Sequence, residues 1–233
     1  MKPGTIACAI WLVALLWLPC SVCAQSVRPD TAPDAGTLPS VIPIFPLPDV
    51  VLFPNVALPL MIFEPRYRAM VADALKGDRM IGMVLLRPGY EADYEGRPPV
   101  YAIGCAGRIA AFQQLPDGRY NIQLRGLVKF RMTSEDQSRP YRLARVEAMP
   151  EVPNGDEKAQ LSALRLRLEL LLAGSVPLDA DLLSLTDEEF VNGLAQNLDL
   201  EPIERQGLLE MKGSVPRARA LVEWLEARVG PAR

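Results

Sequence analysis

Glu64 and Arg66 stand two residues apart in the stretch LPLMIFEPRYRAMVADAL, Leu58 to Leu75. A carboxylate and a guanidinium that close together could form a catalytic pair. They could equally ion-pair or cap a helix, because a negative charge just before a helix meets the positive end of its dipole. No second acid, histidine or metal ligand stands nearby in the sequence, which favours the structural role. The chain has no histidine at all. That excludes a Ser-His-Asp triad, a Cys-His pair and a His-ligated zinc site.

Lysine is the remaining candidate for base chemistry, as a Ser–Lys dyad. After residue 24 only Lys76, Lys129, Lys158 and Lys212 are present. Lys76 falls at a helix end, Lys129 in a strand, and Lys158 and Lys212 at helix edges. Each is expected to be a solvated charge rather than a desolvated base. Arg119, Arg125, Lys129 and Arg131 form a basic group that is expected to be the solvated face of a half-buried sheet. With a net charge of −3 and no basic stripe interleaved with aromatics, nucleic-acid binding is not indicated.

The phosphate-loop pattern G-x-x-x-x-G-K-[ST] is absent, so ATP binding of that kind is excluded. Lys212-Gly213-Ser214 has the wrong order and precedes a helix. No carboxylates have Ca²⁺-loop spacing. Cys105, among Ala102, Ile103 and Ala106, is expected to be a buried, inert thiol. No cofactor is implied.

The elements that would position these residues fall into two runs. From Val41 to about Met149 the pattern is mostly β. Ile42, Ile44 and Phe45 make a short strand among Pro43 and Pro46. Val50 to Phe53 follows, then an apolar strand from Val56 to Phe63 that contains Pro59. Prolines within such runs point to edge strands and bends. Arg66 to Lys76 changes period: Tyr67, Met70, Val71, Ala74 and Leu75 share one helix face, Pro65 suits the first turn, and Gly77 is a stop. Met80 to Leu86 is a buried strand. Arg87 to Pro99 is a polar loop. Val100 to Gln114 is a strand region with a bend or bulge near Gly104 and Gly107. Leu115-Pro116-Asp117-Gly118 is a hairpin turn. Arg119 to Arg131 returns, with Tyr120, Ile122 and Leu124 buried and Gly126 as an interruption. Tyr141 to Met149 is the last strand.

Beyond Pro150 the pattern is helical. Leu161, Leu164, Leu168, Leu171 and Leu172 make one stripe. Thr186-Asp187-Glu188-Glu189 is a capping box that opens a helix bearing Phe190, Val191, Leu194 and Ala195. Glu201-Pro202 opens another, and Ser214 caps a last one with Ala218, Leu221, Val222 and Leu225. Strands followed by helices indicate α+β architecture, or a β domain and a helical domain with a boundary near Val152.

The first 24 residues are expected to be an export signal. Lys2 is the positive end, Ile6 to Leu18 is an uncharged apolar run, and Val22-Cys23-Ala24 offers small residues for cleavage after Ala24. The run is short of the roughly 20 residues that span a membrane. An uncleaved signal anchor is the alternative, with membrane contact through that segment alone. Cleavage would remove Lys2, so the 25 basic residues become 24 against 28 acidic ones and the net charge goes from −3 to −4. It would also leave Cys105 as the one cysteine of four, without an internal disulfide. Gln25 to Ser40, rich in Pro, Asp, Ser and Thr, reads as a flexible linker.

The segments IPIFPLPDVVLFP (Ile42–Pro54), LPLMIFEPRY (Leu58–Tyr67), IGCAGRI (Ile103–Ile109), LPDG (Leu115–Gly118) and GLVKF (Gly126–Phe130) resemble, in order and spacing, the N-terminal substrate-binding domain of Lon proteases. Phe63-Glu64-Pro65-Arg66-Tyr67 is most similar to stand-alone members that lack the ATPase and protease domains. The helical tail resembles the helical part that follows the β domain in Lon. The resemblance implies a PUA-like β pseudobarrel with one packed helix (41–151) and a C-terminal α-helical bundle (152–229). It also implies a non-catalytic module that recognises unfolded or exposed polypeptide segments. Any proteolysis would then need a separate protease or chaperone partner. The export signal places that role in the periplasm or cell envelope. A weak Ser–Lys hydrolase and RNA recognition through a PUA-like fold are the alternatives. The sequence sets neither the oligomeric state nor the peptide-binding residues. Phe63, Tyr67, Met70 and Val71 are expected to anchor the helix in the core, with Glu64 and Arg66 as its ion-pairing or capping groups.

Overall fold

The structure, a computed structural model, describes residues 38–90, 96–136, 138–173 and 184–229. All of them belong to one compact unit spanning Pro33–Arg233. The expected signal segment and most of the expected linker lie outside the described residues. Leu38 already packs on the core and Ser40 O accepts a hydrogen bond from Val146 N at 2.9 Å, so the end of that linker is fastened to the fold.

The strands are β1 (Val41–Leu47), β2 (Ala57–Ile62), β3 (Met80–Leu85), β4 (Ile103–Gln114), β5 (Tyr120–Asp136) and β6 (Arg142–Met149). Helix α1 (Pro65–Ala74) connects β2 to β3. The helices α2 (Gly155–Leu172), α3 (Asp187–Asn197), α4 (Pro202–Glu210) and α5 (Ser214–Val229) follow the last strand. The architecture is α+β with a mixed sheet. β1 runs parallel to β3, whereas β3–β4, β4–β5, β5–β6 and β6–β1 are antiparallel. These five pairings close a ring, and β2 lies outside it on the first half of β5.

Closure explains why β1 tolerates two prolines without being an edge strand, contrary to expectation. Val41–Ile44 pairs with β6 and Ile44–Leu47 with β3, so each proline has a ladder on one side only. Pro59 does sit on an edge strand, β2. Val50–Phe53 forms no strand; Val51, Leu52 and Phe53 are buried in irregular backbone and Val50 is half-buried. The hairpin forms as expected. Gly118 takes φ +81°, Leu115 N donates to Arg119 O at 2.8 Å, and Asp117 Oδ1 accepts from Arg119 N at 3.0 Å.

Two apolar clusters result. The smaller draws on all five ring strands, with Ile42, Ile44, Val84, Ala106, Ala144 and Val146 around Phe130. The larger joins the other strand face to α1 and to the helices, from Phe45 and Phe53 to Phe190 and Leu221. Strands and helices therefore share one core.

β5 is continuous through Gly126 rather than interrupted. The glycine is required because a Cβ there would run into Phe53 O. Next to it the ladder slips. Ala106 faces Val128, but Gly107 faces Gly126, which leaves Leu127 as an extra residue. Such a bulge reverses which side chains face the core. Tyr120, Ile122 and Leu124 point to the helix-side cluster, whereas Val128 and Phe130, of the same parity, point to the other one.

Candidate functional site

The stretch that carries Glu64 and Arg66 is a strand-to-helix joint. Arg66 Nε donates to Glu64 Oε2 at 3.0 Å, so the pair is ionic as expected. Glu64 occupies the N-cap position without a side-chain cap bond, and Pro65 fills the first turn. Arg66 lies 4.6 Å from the centroid of the Tyr67 ring, which packs on Phe45. Tyr67, Met70 and Val71 are buried, as expected. Phe63 is not a core anchor: it is 61% exposed. Ile62 is the last inward-facing residue of β2, and the next side chain turns to solvent.

Phe63 and the 56% exposed Met61 form an apolar pair at the end of β2. The outer edge of this strand is blunted. Gly126 N donates to Val56 O at 2.9 Å, so antiparallel alternation turns the polar backbone groups of Ala57, Pro59 and Met61 away from β5. Gln196 Nε2 takes up Ala57 O at 3.2 Å, and Pro59 has no N–H to offer. Among the described residues, the stretch around Met61 is the part of this edge left for an added strand. The Arg87–Pro99 loop includes residues 91–95, which lie outside the described residues.

The most developed site lies where β6 gives way to the helices. Lys129 is not a solvated charge. It is 2% exposed, because the Leu127 bulge turns it toward the helices instead of toward water with Asn121, Gln123 and Arg125. Its ammonium donates to Leu209 O at 2.9 Å and Met211 O at 2.6 Å, and it pairs with Glu151 Oε1. Arg217 is fully buried and shares that carboxylate, with Nη2 at 3.3 Å from Oε2. Its Nε donates to Leu208 O at 3.0 Å and its Nη1 to Asn192 Oδ1 at 2.5 Å. Asn192 Nδ2 continues to Pro54 O at 3.0 Å. Gly213 N completes the shell of Glu151 at 3.0 Å.

Beside this network is a cleft of about 420 Å³. Its walls are largely apolar, with Met149, Pro150, Val152, Pro153, Val215 and Pro216. Glu157, Glu188, Lys212 and Ser214 supply polar groups. Burial depresses the Lys129 pKa, and Glu151 counteracts that. Burial raises the Glu151 carboxyl, but Arg217 and then Lys129 outweigh it and hold it below its ordinary value. Glu188 is pushed up, first by burial and then by the charge of Glu151.

The geometry does not build a Ser–Lys dyad here. All three protons of the Lys129 ammonium have acceptors, so no lone pair is available for a base. The expected basic face is also dispersed. Arg119 pairs with Asp117 at 2.7 Å, Arg125 with Glu189 at 3.1 Å, and Lys129 is interior. Cys105 is buried, and burial pushes its thiol up to about 12. Among the described residues no group of three or more acids or cysteines could hold a metal.

Glu151, Glu188, Asn192 and Arg217 were not singled out by sequence pattern. One signal was available. Arg217 precedes Leu221 and Leu225 at four-residue steps, which puts a lone arginine on the apolar line of α5.

A closed strand ring with an outlying β2, followed by helices on one shared core, defines the class: an α+β domain with the fold of Lon N-terminal domains. It superposes on the N-terminal domain of Lon protease from the Mycobacterium avium complex with a TM-score of 0.62 at 18% identity, covering 79% of this chain and 97% of that one. A Lon N-terminal domain protein from Xanthomonas campestris gives 0.56 at 24% identity, covering 79% and 98%. The family model of the ATP-dependent protease La (LON) substrate-binding domain matches residues 41–227, and the chain belongs to that family. Lon protease 2 of Myxococcus xanthus is 29% identical over 200 residues, 82% of this chain and 24% of the relative. Lon protease 2 of Syntrophobacter fumaroxidans is 30% identical over 192 residues, 80% of this chain and 24% of the relative. The chain thus spans about a quarter of the length of these curated relatives.

Proposed function

We propose that the protein is a non-catalytic polypeptide-binding module of the Lon N-terminal type, built as a PUA-like β pseudobarrel with a C-terminal helical bundle. The observation that carries this reading is the match of the Lon substrate-binding domain model to residues 41–227. The saturated Lys129 ammonium and the inert Cys105 speak against covalent or acid–base chemistry in the same domain. The module would present unfolded or exposed segments to a separate protease or chaperone. Lys2, the uncharged Ile6–Leu18 run and Val22-Cys23-Ala24 support export, with cleavage after Ala24 and action in the periplasm or envelope.

The test is binding of the purified protein to a panel of reduced, unfolded proteins and their folded counterparts. Saturable binding to the unfolded forms alone is expected, and signal no higher than a non-binding control would sink the reading. Mass determination of the protein recovered from the periplasm checks export: a chain beginning at Gln25 is expected, and a full-length cytosolic chain refutes it.

A further inference from the structure

The cleft beside Lys129, which Lys212 also lines, has an unmet demand at Glu188. Lys129, Glu151 and Arg217 satisfy one another beneath it. Glu157 Oε2 is occupied by the backbone N of Asn154 at 2.8 Å in the capping box that opens α2. Glu188 differs. Its Oε1 is enclosed and has no hydrogen-bond donor among the described residues. An enclosed carboxylate oxygen without a donor is costly. Rotation about the terminal torsion of a glutamate is soft, so this oxygen can turn into the cleft that the residue lines.

The surroundings specify the donor that would fit. Pro150, Pro153, Val215 and the 87% exposed Val152 offer apolar walls leading down to Glu188. A lysine or arginine side chain matches such a channel, because its methylene stem packs on apolar surface while its head seeks a carboxylate. The blunted outer edge of β2 leaves little room for recognition by strand addition, which directs attention to side-chain capture here.

We propose that this cleft binds a polypeptide segment through one basic side chain, its cationic head on Glu188 and its stem along Pro150, Pro153 and Val215. The inference rests on the polypeptide-binding reading above and adds the site and the charge of the residue it captures.

The probes are two fluorescent, otherwise neutral peptides that differ only in a central lysine or norleucine, together with one unfolded protein. The lysine peptide is expected to bind the wild type about tenfold tighter, a difference of about 1.4 kcal/mol. Glu188→Gln is expected to erase that difference, bringing the lysine peptide to the affinity of the norleucine form. Equal affinities in the wild type, or a lysine preference retained by Glu188→Gln, would overturn the site assignment. Binding of neither peptides nor unfolded protein would overturn the polypeptide reading and this inference with it. Should Glu188→Gln fail to fold, Val152→Cys carrying a photo-crosslinker, in the chain beginning at Gln25 that lacks Cys8, Cys20 and Cys23, serves instead, since Val152 is exposed and the buried Cys105 does not compete for the label. Crosslinking to the lysine peptide is expected to be competed by unlabelled lysine peptide at about tenfold lower concentration than by the norleucine form. Competition by both forms alike counts against the proposal.

Discussion

Lys129 and Glu151 are paired beneath the joint between the last strand and the helices, with the lysine 2% exposed. Arg217 shares the same carboxylate, so one anion serves two buried cations. Removing that anion is worse than removing either cation. Glu151→Gln is expected to destabilise the fold by about 3–5 kcal/mol, the range for breaking a buried ion pair. Lys129→Met is expected to cost less, because Arg217 still neutralises Glu151 and the methionine stem refills the space. Urea midpoints of the two variants and of their combination check this order. A double variant worse than Glu151→Gln alone would contradict the shared-anion account.

The joint at Glu64 behaves differently. Its pair with Arg66 is partly solvated, with side-chain exposures of 20% and 25% for the arginine and glutamate. Such pairs contribute about 0–1 kcal/mol. Glu64→Gln is therefore expected to lower stability by less than about 1 kcal/mol and to leave polypeptide binding intact. Phe63→Ala, at an exposed position, is expected to shift stability by no more than about 0.5 kcal/mol. Thermal melts and the unfolded-protein binding measurement test both. A loss of binding in Glu64→Gln would return this pair to consideration as a functional site.

Much of the fold could be read along the chain, and the failures have local causes. The hairpin at Leu115–Gly118 and the capping box at Thr186 were visible because each is a short-range bond set between specified residue types. Tyr67, Met70 and Val71 were visible because helix period marks a face. Lys129 was misread because a single bulge residue, Leu127, reverses the alternation established by Asn121, Gln123 and Arg125. No local pattern announces that reversal. Phe63 was misread because apolarity does not say where a strand stops facing the core. The two prolines of β1 suggested an edge because single-strand reasoning cannot anticipate a ring in which neighbours share one strand end to end. The cleft was illegible for the same reason: Glu151, Glu188 and Arg217 meet only when α3 and α5 pack against the end of β6.

Gly126 marks the place where irregular backbone crosses β5. A Cβ there would collide with Phe53 O, a backbone atom that cannot swing aside. Phe53 is itself held by its N–H to Gln196 Oε1 at 3.0 Å, and Asn55 N donates to Gly126 O at 2.9 Å. Gly126→Ala is expected to destabilise by about 1–3 kcal/mol or more, as overpacking does. Gly193→Ala is the control, since nothing lies near its Cβ position and alanine favours the helix. Chemical denaturation of both distinguishes steric conflict from a general effect of losing glycine.

The two carboxylates of the cleft should make stability respond to pH in opposite senses. Glu151 has its folded pKa depressed below the ordinary 4.5, because Arg217 and Lys129 outweigh the burial that alone would raise it. The folded state then binds its proton less readily than the unfolded state. Its contribution is present above the unfolded value and is lost as pH falls through the folded one. Glu188 has its folded pKa raised above 4.5 by burial and by Glu151. Its favourable contribution is present below the unfolded value and is lost as pH rises through the folded one. Urea midpoints measured between about pH 3 and 7 separate the two. The deficit of Glu151→Gln relative to wild type is expected to be largest near neutrality and to shrink as pH falls below 4.5. Relative to wild type, Glu188→Gln is expected to compare best near neutrality and to lose ground as pH falls toward 4.5. A deficit of Glu151→Gln that stayed constant across the range would mean that the carboxylate charge is not what binds Lys129 and Arg217 together.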